Sequence, residues 1–285
     1  MRALPDVWVH RRPRGLSYGA LDGDARVKAP PSRWSHVLGV LTRNEFRARY
    51  RAQALGILWS LLNPLVQMVI LSVIFSRVPA FQSAVKNFPV FMLIGVIVWQ
   101  WFSTGINAAT QTFIAHADVV KRTVFPRPLL PLATLLSYGI NFCLESTLIL
   151  ILVPVWPHAF CLSPALLLIP VIVLTLVALI VGIVLATSVL HVIYRDVAYL
   201  VSTSLTLLYW LTPIIYPSSV VPEPYGTLLH FNPLASILIA LRGCLMDGAW
   251  PSALTWAGML GPTALLLLVG WLVFRHYERM VLDYV

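Results

Sequence analysis

The sequence predicts an all-α integral membrane protein that crosses the bilayer six times. Of its 285 residues, 59% are hydrophobic and only 11% are charged, whereas a soluble domain carries roughly a quarter charged residues. So few charges cannot cover the surface of a soluble protein of this length. A transmembrane helix needs about 20 predominantly apolar residues. Six segments meet this requirement, at residues 57–78, 88–113, 129–156, 165–191, 198–216 and 254–274.

Lys and Arg residues are distributed unevenly between the two sides that six spans define. The N-terminal segment, the loops near 115–128 and 194–197, and the C-terminus hold 11, 3, 1 and 2 of the 20 Lys and Arg residues. Arg77, Lys86 and Arg242 lie on the other side. Because positive charge concentrates in cytoplasmic loops, both termini are predicted to be cytoplasmic.

The region before the first span divides into two parts. Residues 1–32 are rich in Arg, Pro and Gly and show little apolar periodicity, which predicts a flexible cytoplasmic arm. Residues 33–56 are predicted to form an amphipathic interface helix, with apolar residues on one side and arginines largely elsewhere. Such a helix lies in the membrane interface near anionic lipid headgroups. The arginines are Arg43, Arg47, Arg49 and Arg51, and Trp59 follows at the predicted headgroup level.

The remaining residues, 57–285, are predicted to form the transmembrane domain. Pro64 can kink the first span because proline removes one helical hydrogen bond. Between the last two spans, residues 217–251 are apolar in patches but interrupted by several prolines and glycines. Irregular backbone at membrane depth must be shielded by protein or by a water-filled cavity. We therefore expect one or two short re-entrant or interfacial helices in this region.

The sequence lacks the common signatures of enzymes. It contains no GxxxxGK[ST] phosphate-binding loop, no HExxH or GxSxG motif and no clustered His/Cys ligand set. The eleven acidic residues lie far apart along the chain. We therefore predict no catalytic residues, no metal site, no cofactor in this chain and no nucleic-acid partner.

Four short patterns occur in a fixed order along the chain. The first is R-x-R-Y-R-x-x-x-L-G-x-x-W at 47–59, followed by Asn63-Pro64, and the second is V-K-R-x-x-F-P-R-x-L-L-P at 120–131. The third is Y-R-D at 194–196, and the fourth is T-P-I-I-Y-P at 212–217 with N-P-L beyond it. Together they resemble the permease subunits of ABC-2 type exporters, in the branch that exports lipid-linked polysaccharides such as O-antigen, capsule and wall teichoic acid.

This resemblance implies a homodimer that works with two separate ABC ATPase subunits in the bacterial cytoplasmic membrane. The partner subunits would bind ATP and Mg²⁺. The loop at about 115–128 would be a coupling helix seated in the ATPase; the alternative is an ordinary basic connecting loop. The residues predicted to couple to the ATPase are Asp118, Val119, Val120, Lys121, Arg122, Phe125, Arg195 and Asp196.

Aromatic residues recur in the predicted spans. Sugar rings present C–H faces that stack on aromatic rings, so these residues are candidates for lining a glycan path; the alternative is the aromatic belt found at membrane interfaces. Glu145 is the only acid well inside a predicted span and should face protein or water, with Asn141 as a candidate partner. The predicted lining residues are Trp99, Trp101, Phe102, Tyr138, Glu145, Tyr209, Trp210 and Tyr216.

The expected function is export of an undecaprenyl-pyrophosphate-linked glycan through a path shared by two protomers. Guanidinium groups pair well with phosphate, so Arg47, Arg49 and Arg51, with Trp59, are predicted to meet the lipid-linked pyrophosphate and membrane lipids. One alternative is an exporter of a small hydrophobic drug or lipid. Another is a membrane transferase, which would need clustered acids or a metal site. The sequence leaves the polymer open, with teichoic acid and O-antigen equally compatible.

Overall fold

The structure, a computed structural model, describes residues 31–51, 56–75, 85, 87–122, 125–154, 157–222 and 225–284. All regular secondary structure in these ranges is helical. The predicted arm at residues 1–32 lies outside the described residues except for its last two. The predicted interface helix is described as far as residue 51 and again from residue 56.

The α-helices are α1 (Pro31–Tyr50), α2 (Leu58–Phe75), α3 (Phe88–Thr110), α4 (Thr112–Ala115), α5 (Ala117–Arg122), α6 (Leu129–Leu152), α7 (Ile169–Ile193), α8 (Val197–Leu211), α9 (Tyr225–Leu228), α10 (Pro233–Arg242), α11 (Ala253–Tyr277) and α12 (Val281–Tyr284). Short 3₁₀ turns lie at Pro157–Ala159, Pro164–Leu168, Ser218–Val220 and Leu229–Phe231. A π-helical turn, Gly243–Asp247, extends α10.

Five helices of the described chain are long and apolar enough to cross a membrane. They are α2, α3, α6, α11, and α7 together with the 3₁₀ turn before it, and they coincide with five of the six predicted spans. The predicted span at 198–216 falls on α8, which has only 15 residues. At 1.5 Å per residue α8 reaches about 22 Å, less than the ~30 Å hydrocarbon core. It ends at Leu211 because Thr212 precedes Pro213 and takes an extended conformation.

The core of the protomer is built around α3. Most of its residues are buried, including Met92, Leu93 and Ile94, and it packs against α2, α6, α7 and α8. In contrast, only Pro64 and Met68 are buried on α2. Leu61, Leu65, Leu71 and Phe75 are half-buried against the core, and the other side of α2 forms an open surface on the protomer, although its sequence is as apolar as that of a core helix.

Helices α7 and α11 make the closest helix–helix contact in this core through two glycines. A Cβ atom placed on Gly182 would lie 2.7 Å from the backbone of Leu267, and one on Gly270 would collide with the carbonyl group of Gly182. Small residues let helix backbones approach each other in membrane proteins, where dispersion contacts hold helices together. The close packing of α7 on α11 therefore depends on these two glycines.

We predict that Gly270→Ala destabilises the protein, because its methyl group must displace the backbone of α7. Overpacking of this kind costs about 1–3 kcal/mol, which corresponds to a fall of roughly 5 °C in Tm. The measurement is the thermal unfolding of the detergent-solubilised protein. Gly261→Ala on the same helix is the control, since a Cβ there meets nothing within 4 Å. A Gly270→Ala protein as stable as the Gly261→Ala protein would contradict this account.

Candidate functional site

The end of helix α1, the predicted interface helix, is fixed to the side of α6. The Tyr50 hydroxyl donates a hydrogen bond of 2.8 Å to Asn141 Oδ1, and Arg49 Nη2 donates one of 2.9 Å to Ser137 Oγ. The Arg49 guanidinium also lies 3.3 Å from the centre of the Tyr138 ring, a cation–π contact. Among the predicted headgroup arginines, Arg49 is thus engaged within the protomer.

The other predicted headgroup residues remain open. Arg47 and Arg51 are exposed, and Trp59 in the first turn of α2 is 53% exposed. Between them Gly56 has a φ of +47°, in the left-handed region that glycine occupies without steric cost. The chain can therefore turn from α1 into α2 at this glycine.

The predicted coupling helix is a six-residue helix, α5, that follows the single turn of α4. Asp118 lies in its first turn, where a negative charge is favoured by the helix dipole, and both Asp118 and Lys121 are exposed. Val120 is buried, and Phe125 packs against the same apolar cluster as Val120. The apolar edge of this segment therefore faces the bundle, and its charged edge remains available to a partner.

The remaining coupling candidates are partly defined. Val119 is half-buried beside Val120, while only the backbone of Arg122 is described. Arg195 and Asp196 are both exposed between α7 and α8. These two residues do not form an ion pair with each other within the described chain. Their role in coupling stays a prediction.

An ion pair that the sequence does not reveal joins α1 to this segment. His116, between α4 and α5, lies with its Nε2 atom 2.7 Å from Glu45 Oε1, and its Nδ1 atom is 3.0 Å from the carbonyl oxygen of Thr112. The hydrogen bond with Glu45 raises the pKa of His116 above its ordinary value, although burial of the ring opposes this shift. Helix α1 and the predicted coupling helix are thus linked by a histidine whose pKa is raised by its carboxylate partner.

The predicted lining residues divide into two groups on different sides of the protomer. The first group clusters where α3 meets the end of α8. Trp99 and Tyr209 meet edge to face at 5.2 Å, and the Tyr216 hydroxyl donates to the carbonyl of Trp210 at 3.1 Å. Phe102 is buried at the wall of an adjoining apolar cavity of about 600 Å³, which Trp210 and Tyr216 also line.

The second group surrounds a polar pocket between α2, α3 and α6, with a volume of about 110 Å³. Trp101 stacks on Phe142 with the ring centres 4.4 Å apart. Glu145 is 4% exposed and makes no hydrogen bond to Asn141, whose Oδ1 atom accepts from Tyr50. The residues that line this polar pocket are Trp59, Ser60, Asn63, Gln100, Trp101, Thr104, Tyr138, Asn141, Phe142 and Glu145.

Arg242, at the end of α10, is a buried cation. From the sequence, this residue entered only the comparison of Lys and Arg residues on the two sides of the membrane. It is 6% exposed and donates hydrogen bonds to the carbonyl oxygens of Pro213 at 2.5 Å, Ile214 at 2.8 Å and Phe91 at 3.1 Å. Its guanidinium lies 3.4 Å from the centre of the Phe91 ring. Arg242 therefore ties the irregular segment after α8 to the start of α3.

The other end of α10 holds the same irregular segment. Asn232 caps α10 by accepting hydrogen bonds from the backbone of Leu234 and Ala235, and its Nδ2 atom donates to Thr212 Oγ1 at 2.9 Å. The residues that follow α8 are thus fastened to both ends of one ten-residue helix. Asn232-Pro233 at the start of α10 is the sequence signal for this arrangement, since Asn at the cap and Pro at the first position favour a helix start.

We predict that the His116–Glu45 ion pair stabilises the protein in a pH-dependent way. Because the folded-state pKa of His116 is raised, the stabilisation is fully present below the unfolded value of about 6.5. It is lost as the pH rises through the folded-state pKa. The Tm of His116→Gln should lie about 2 °C below that of wild type at pH 6, and the two should converge by pH 9. His36→Gln, on an exposed part of α1, is the control; a gap independent of pH would refute the ion pair's contribution.

We predict that Arg242→Lys lowers the stability by about 2–3 kcal/mol, since a lysine ammonium cannot reach three carbonyl groups and also stack on a ring. The Tm should fall by roughly 5 °C or more, as measured by thermal unfolding in detergent. Arg275→Lys, exposed in the last turn of α11, should change it by no more than about 1 °C. Equal values for the two variants would show that the carbonyl contacts contribute little.

Comparison with known proteins agrees with this architecture. The profile of the family described as ABC-2 type transporter matches residues 36–246. The O-antigen export system permease protein RfbA of Klebsiella pneumoniae is 33% identical over 215 residues, which cover 74% of this chain and 81% of that protein. RfbA of Myxococcus xanthus is 29% identical over 75% of this chain and 81% of its own length. The polysialic acid transport protein KpsM of Escherichia coli is 26% identical over 84% and 92%. With its apolar helices of spanning length and this match, the chain is a multi-pass membrane protein and belongs to the ABC-2 type transporter family.

Proposed function

We propose that this protein is the permease subunit of an ATP-driven exporter in the bacterial inner membrane. Its cargo is a lipid-linked cell-surface polysaccharide, such as O-antigen or wall teichoic acid. The names of the relatives, which refer to O-antigen export and polysialic acid transport, support a polysaccharide as cargo. The structural observation that carries the proposal is a polar face on α8.

Helix α8 is apolar in composition, yet one of its open faces carries hydroxyl groups. Ser202, Thr203 and Thr206 are exposed, with Tyr199 and Trp210 exposed near the two ends of the helix. The Thr206 hydroxyl donates to the carbonyl oxygen of Ser202 at 3.0 Å. The hydroxyls of Ser202 and Thr203 would gain no partner in hydrocarbon, whereas in a hydrated path they can bond water or sugar hydroxyls. Helix α8 thus combines hydroxyl groups with aromatic rings, the two kinds of group that contact sugars.

A second copy of the chain is needed to enclose a path of this kind. Helix α2 exposes nearly its whole length on the protomer and carries an exposed hydrogen bond of 3.1 Å between Gln67 and Asn63. If α2 and α8 of two protomers face a common axis, their polar groups are removed from lipid and border one passage. In the homodimer, one symmetric arrangement therefore removes the open faces of both α2 and α8 from lipid.

In this topology α8 and the segment after it make the sixth crossing, with both termini in the cytoplasm. Backbone at membrane depth needs hydrogen-bond partners from protein or water. Arg242 and Asn232 provide such partners to residues 212–214. The short α10, about 15 Å long, would then be re-entrant from the outer side, as the sequence predicts.

Force from two ABC ATPase subunits would enter through α5 and α1. The exposed Asp118 and Lys121 face away from the bundle, so they are available to a socket on the ATPase. The His116–Glu45 ion pair joins α5 to α1, and Tyr50 and Arg49 join α1 to α6. Displacement of the coupling helix is therefore passed to a membrane helix through side chains that hold fixed positions.

One observation favours a second candidate function, export of a small hydrophobic drug or lipid. The cavity of about 600 Å³ beside α8 is lined mainly by apolar side chains, and its volume falls in the range of small-molecule sites. A lipid-linked glycan also carries an apolar tail that such a cavity suits, so the cavity is compatible with both kinds of cargo.

We predict that vesicles containing the permease and its ABC ATPase partner move a lipid-linked glycan across the bilayer only when ATP is supplied. Arg47→Glu combined with Arg51→Glu should raise the glycan concentration for half-maximal ATPase stimulation about tenfold. That rise corresponds to about 1.4 kcal/mol of lost phosphate interaction. Arg275→Glu combined with Arg279→Glu, two exposed residues near the far end of the chain, is the charge-matched control.

The outcome that contradicts the proposal is specific. If ATP moves a hydrophobic dye but neither an O-antigen nor a teichoic acid precursor, the protein is a drug or lipid exporter. Suppose instead that the double variant exports the glycan and needs the same glycan concentration as wild type for half-maximal ATPase stimulation. The headgroup role of Arg47 and Arg51 is then wrong, while the proposal of glycan export is supported.

A further inference from the structure

The polar pocket between α2, α3 and α6 brings together hydrogen-bonding groups that the protomer leaves unused. Trp101 is 6% exposed, and its indole N–H has no acceptor among the described residues. The side-chain oxygen of Gln100 is buried and has no donor there either. Glu145, 4% exposed, makes no hydrogen bond to another described residue. A buried polar group without a partner costs about 1–3 kcal/mol, and native structures contain few of them.

The chemistry of these groups restricts what can fill the pocket. The indole N–H of Trp101 only donates, the Gln100 side-chain oxygen only accepts, and Glu145 offers acceptor oxygens in either protonation state. A matching ligand must present donors and acceptors a few ångströms apart. Neighbouring hydroxyl groups do this, because each one both donates and accepts. A phosphate group does not, since it lacks donors and would meet the acidic side chain of Glu145.

The apolar part of the pocket points to the same ligand class. Trp101 is held flat against Phe142, and a Cβ added at Gly139 would lie 3.3 Å from the Trp101 ring, so the indole has little freedom to turn. Trp59, 53% exposed, lies at the pocket wall on α2. Rigid aromatic rings next to hydrogen-bonding groups suit a sugar, whose C–H faces are apolar and whose edges carry hydroxyls.

We propose that this pocket is a subsite for one neutral pyranose unit of the exported polymer. The hydroxyl-bearing edge of the sugar approaches Gln100, Trp101 and Glu145, and the ring lies against Trp59. Because the Gln100 oxygen and the Trp101 N–H have almost no solvent-accessible surface in the protomer, the flexible Gln100 side chain must move aside to admit this edge. A volume of about 110 Å³ accommodates this edge, while the rest of the unit and its neighbours stay outside. The inference rests on the proposed function only in taking the polymer as the source of the sugar.

The subsite lies directly beside the contacts that anchor α1. Tyr138 and Asn141 line the pocket, and they are the residues that Arg49 and Tyr50 contact from the other side. An occupant therefore touches side chains that also hold the interface helix. We expect sugar binding here to change the ATPase activity of the partner subunits through α1.

Two variants remove single hydrogen-bonding groups and leave the shape of the pocket nearly unchanged. Trp101→Phe keeps an aromatic ring and removes the N–H group, and Gln100→Leu removes the amide. Trp256→Phe is the matched control, because it removes an indole N–H from a half-buried tryptophan of α11 outside the pocket. Size-exclusion chromatography of each intact permease–ATPase complex establishes that the variant is folded.

Binding is measured by saturation-transfer NMR on the intact complex in nanodiscs, with glucose, mannose, N-acetylglucosamine and glucuronic acid as probes. At least one neutral sugar should give signals that fall threefold or more in Trp101→Phe and in Gln100→Leu, and that persist in Trp256→Phe. Glucuronic acid should give weaker signals than glucose because its carboxylate meets Glu145. With lipid-linked glycan extracted from the host membrane, half-maximal ATPase stimulation should require about five times more glycan in both variants.

The failure of this subsite is distinguishable from the failure of the proposed function. Suppose that wild type exports glycan, and that both variants keep the wild-type NMR signals and the wild-type glycan concentration for half-maximal ATPase stimulation. The pocket then holds water alone and the subsite is refuted. If wild type exports no glycan, the proposed function fails. The NMR signals then decide separately whether the pocket binds a sugar: their loss in the variants supports the subsite, and their absence in wild type overturns it.

Discussion

The region around the end of α8 depends on one requirement, that backbone carbonyl groups inside a membrane protein find donors. Helix α8 ends at Leu211, and the carbonyls of Pro213 and Ile214 have no helical partner. The Arg242 side chain supplies those donors and at the same time reaches the Phe91 carbonyl at the start of α3. There is room for the guanidinium only because position 95 is glycine: a Cβ there would collide with it.

The same contact explains how a cation is kept in the protein interior without an acid. No carboxylate pairs with Arg242 within the described chain. Its charge is balanced by three carbonyl dipoles and the face of the Phe91 ring. Its position in the last turn of α10 adds the favourable end of a helix dipole. Every partner of Arg242 among the described residues is therefore neutral, and no buried negative charge accompanies this cation.

The sequence predicts those parts of the fold that local sequence patterns determine. Apolar length located five spanning helices, and the turn at Gly56 followed from glycine's freedom. The early end of α8 is encoded by Thr212-Pro213, but the apolar residues beyond it concealed this signal. Contacts between distant residues carry no such signal. Glu45 and His116 lie on different elements of the fold. The partners of Arg242 are backbone carbonyl oxygens, which every residue type carries, so the sequence does not mark them.

The two groups of predicted lining residues show what helical periodicity can predict and what it cannot. Trp99 and Trp101 are two residues apart, so they point about 200° apart around α3. One reaches Tyr209 and the other the polar pocket. Helical periodicity separates them, but only the packing of α2, α6 and α8 shows what each one meets. A polymer path requires contacts that are weak enough to release each unit, as in ion conduction. A shallow polar pocket that takes the edge of a single sugar meets this requirement better than an enclosed site, since most of each unit stays in the passage.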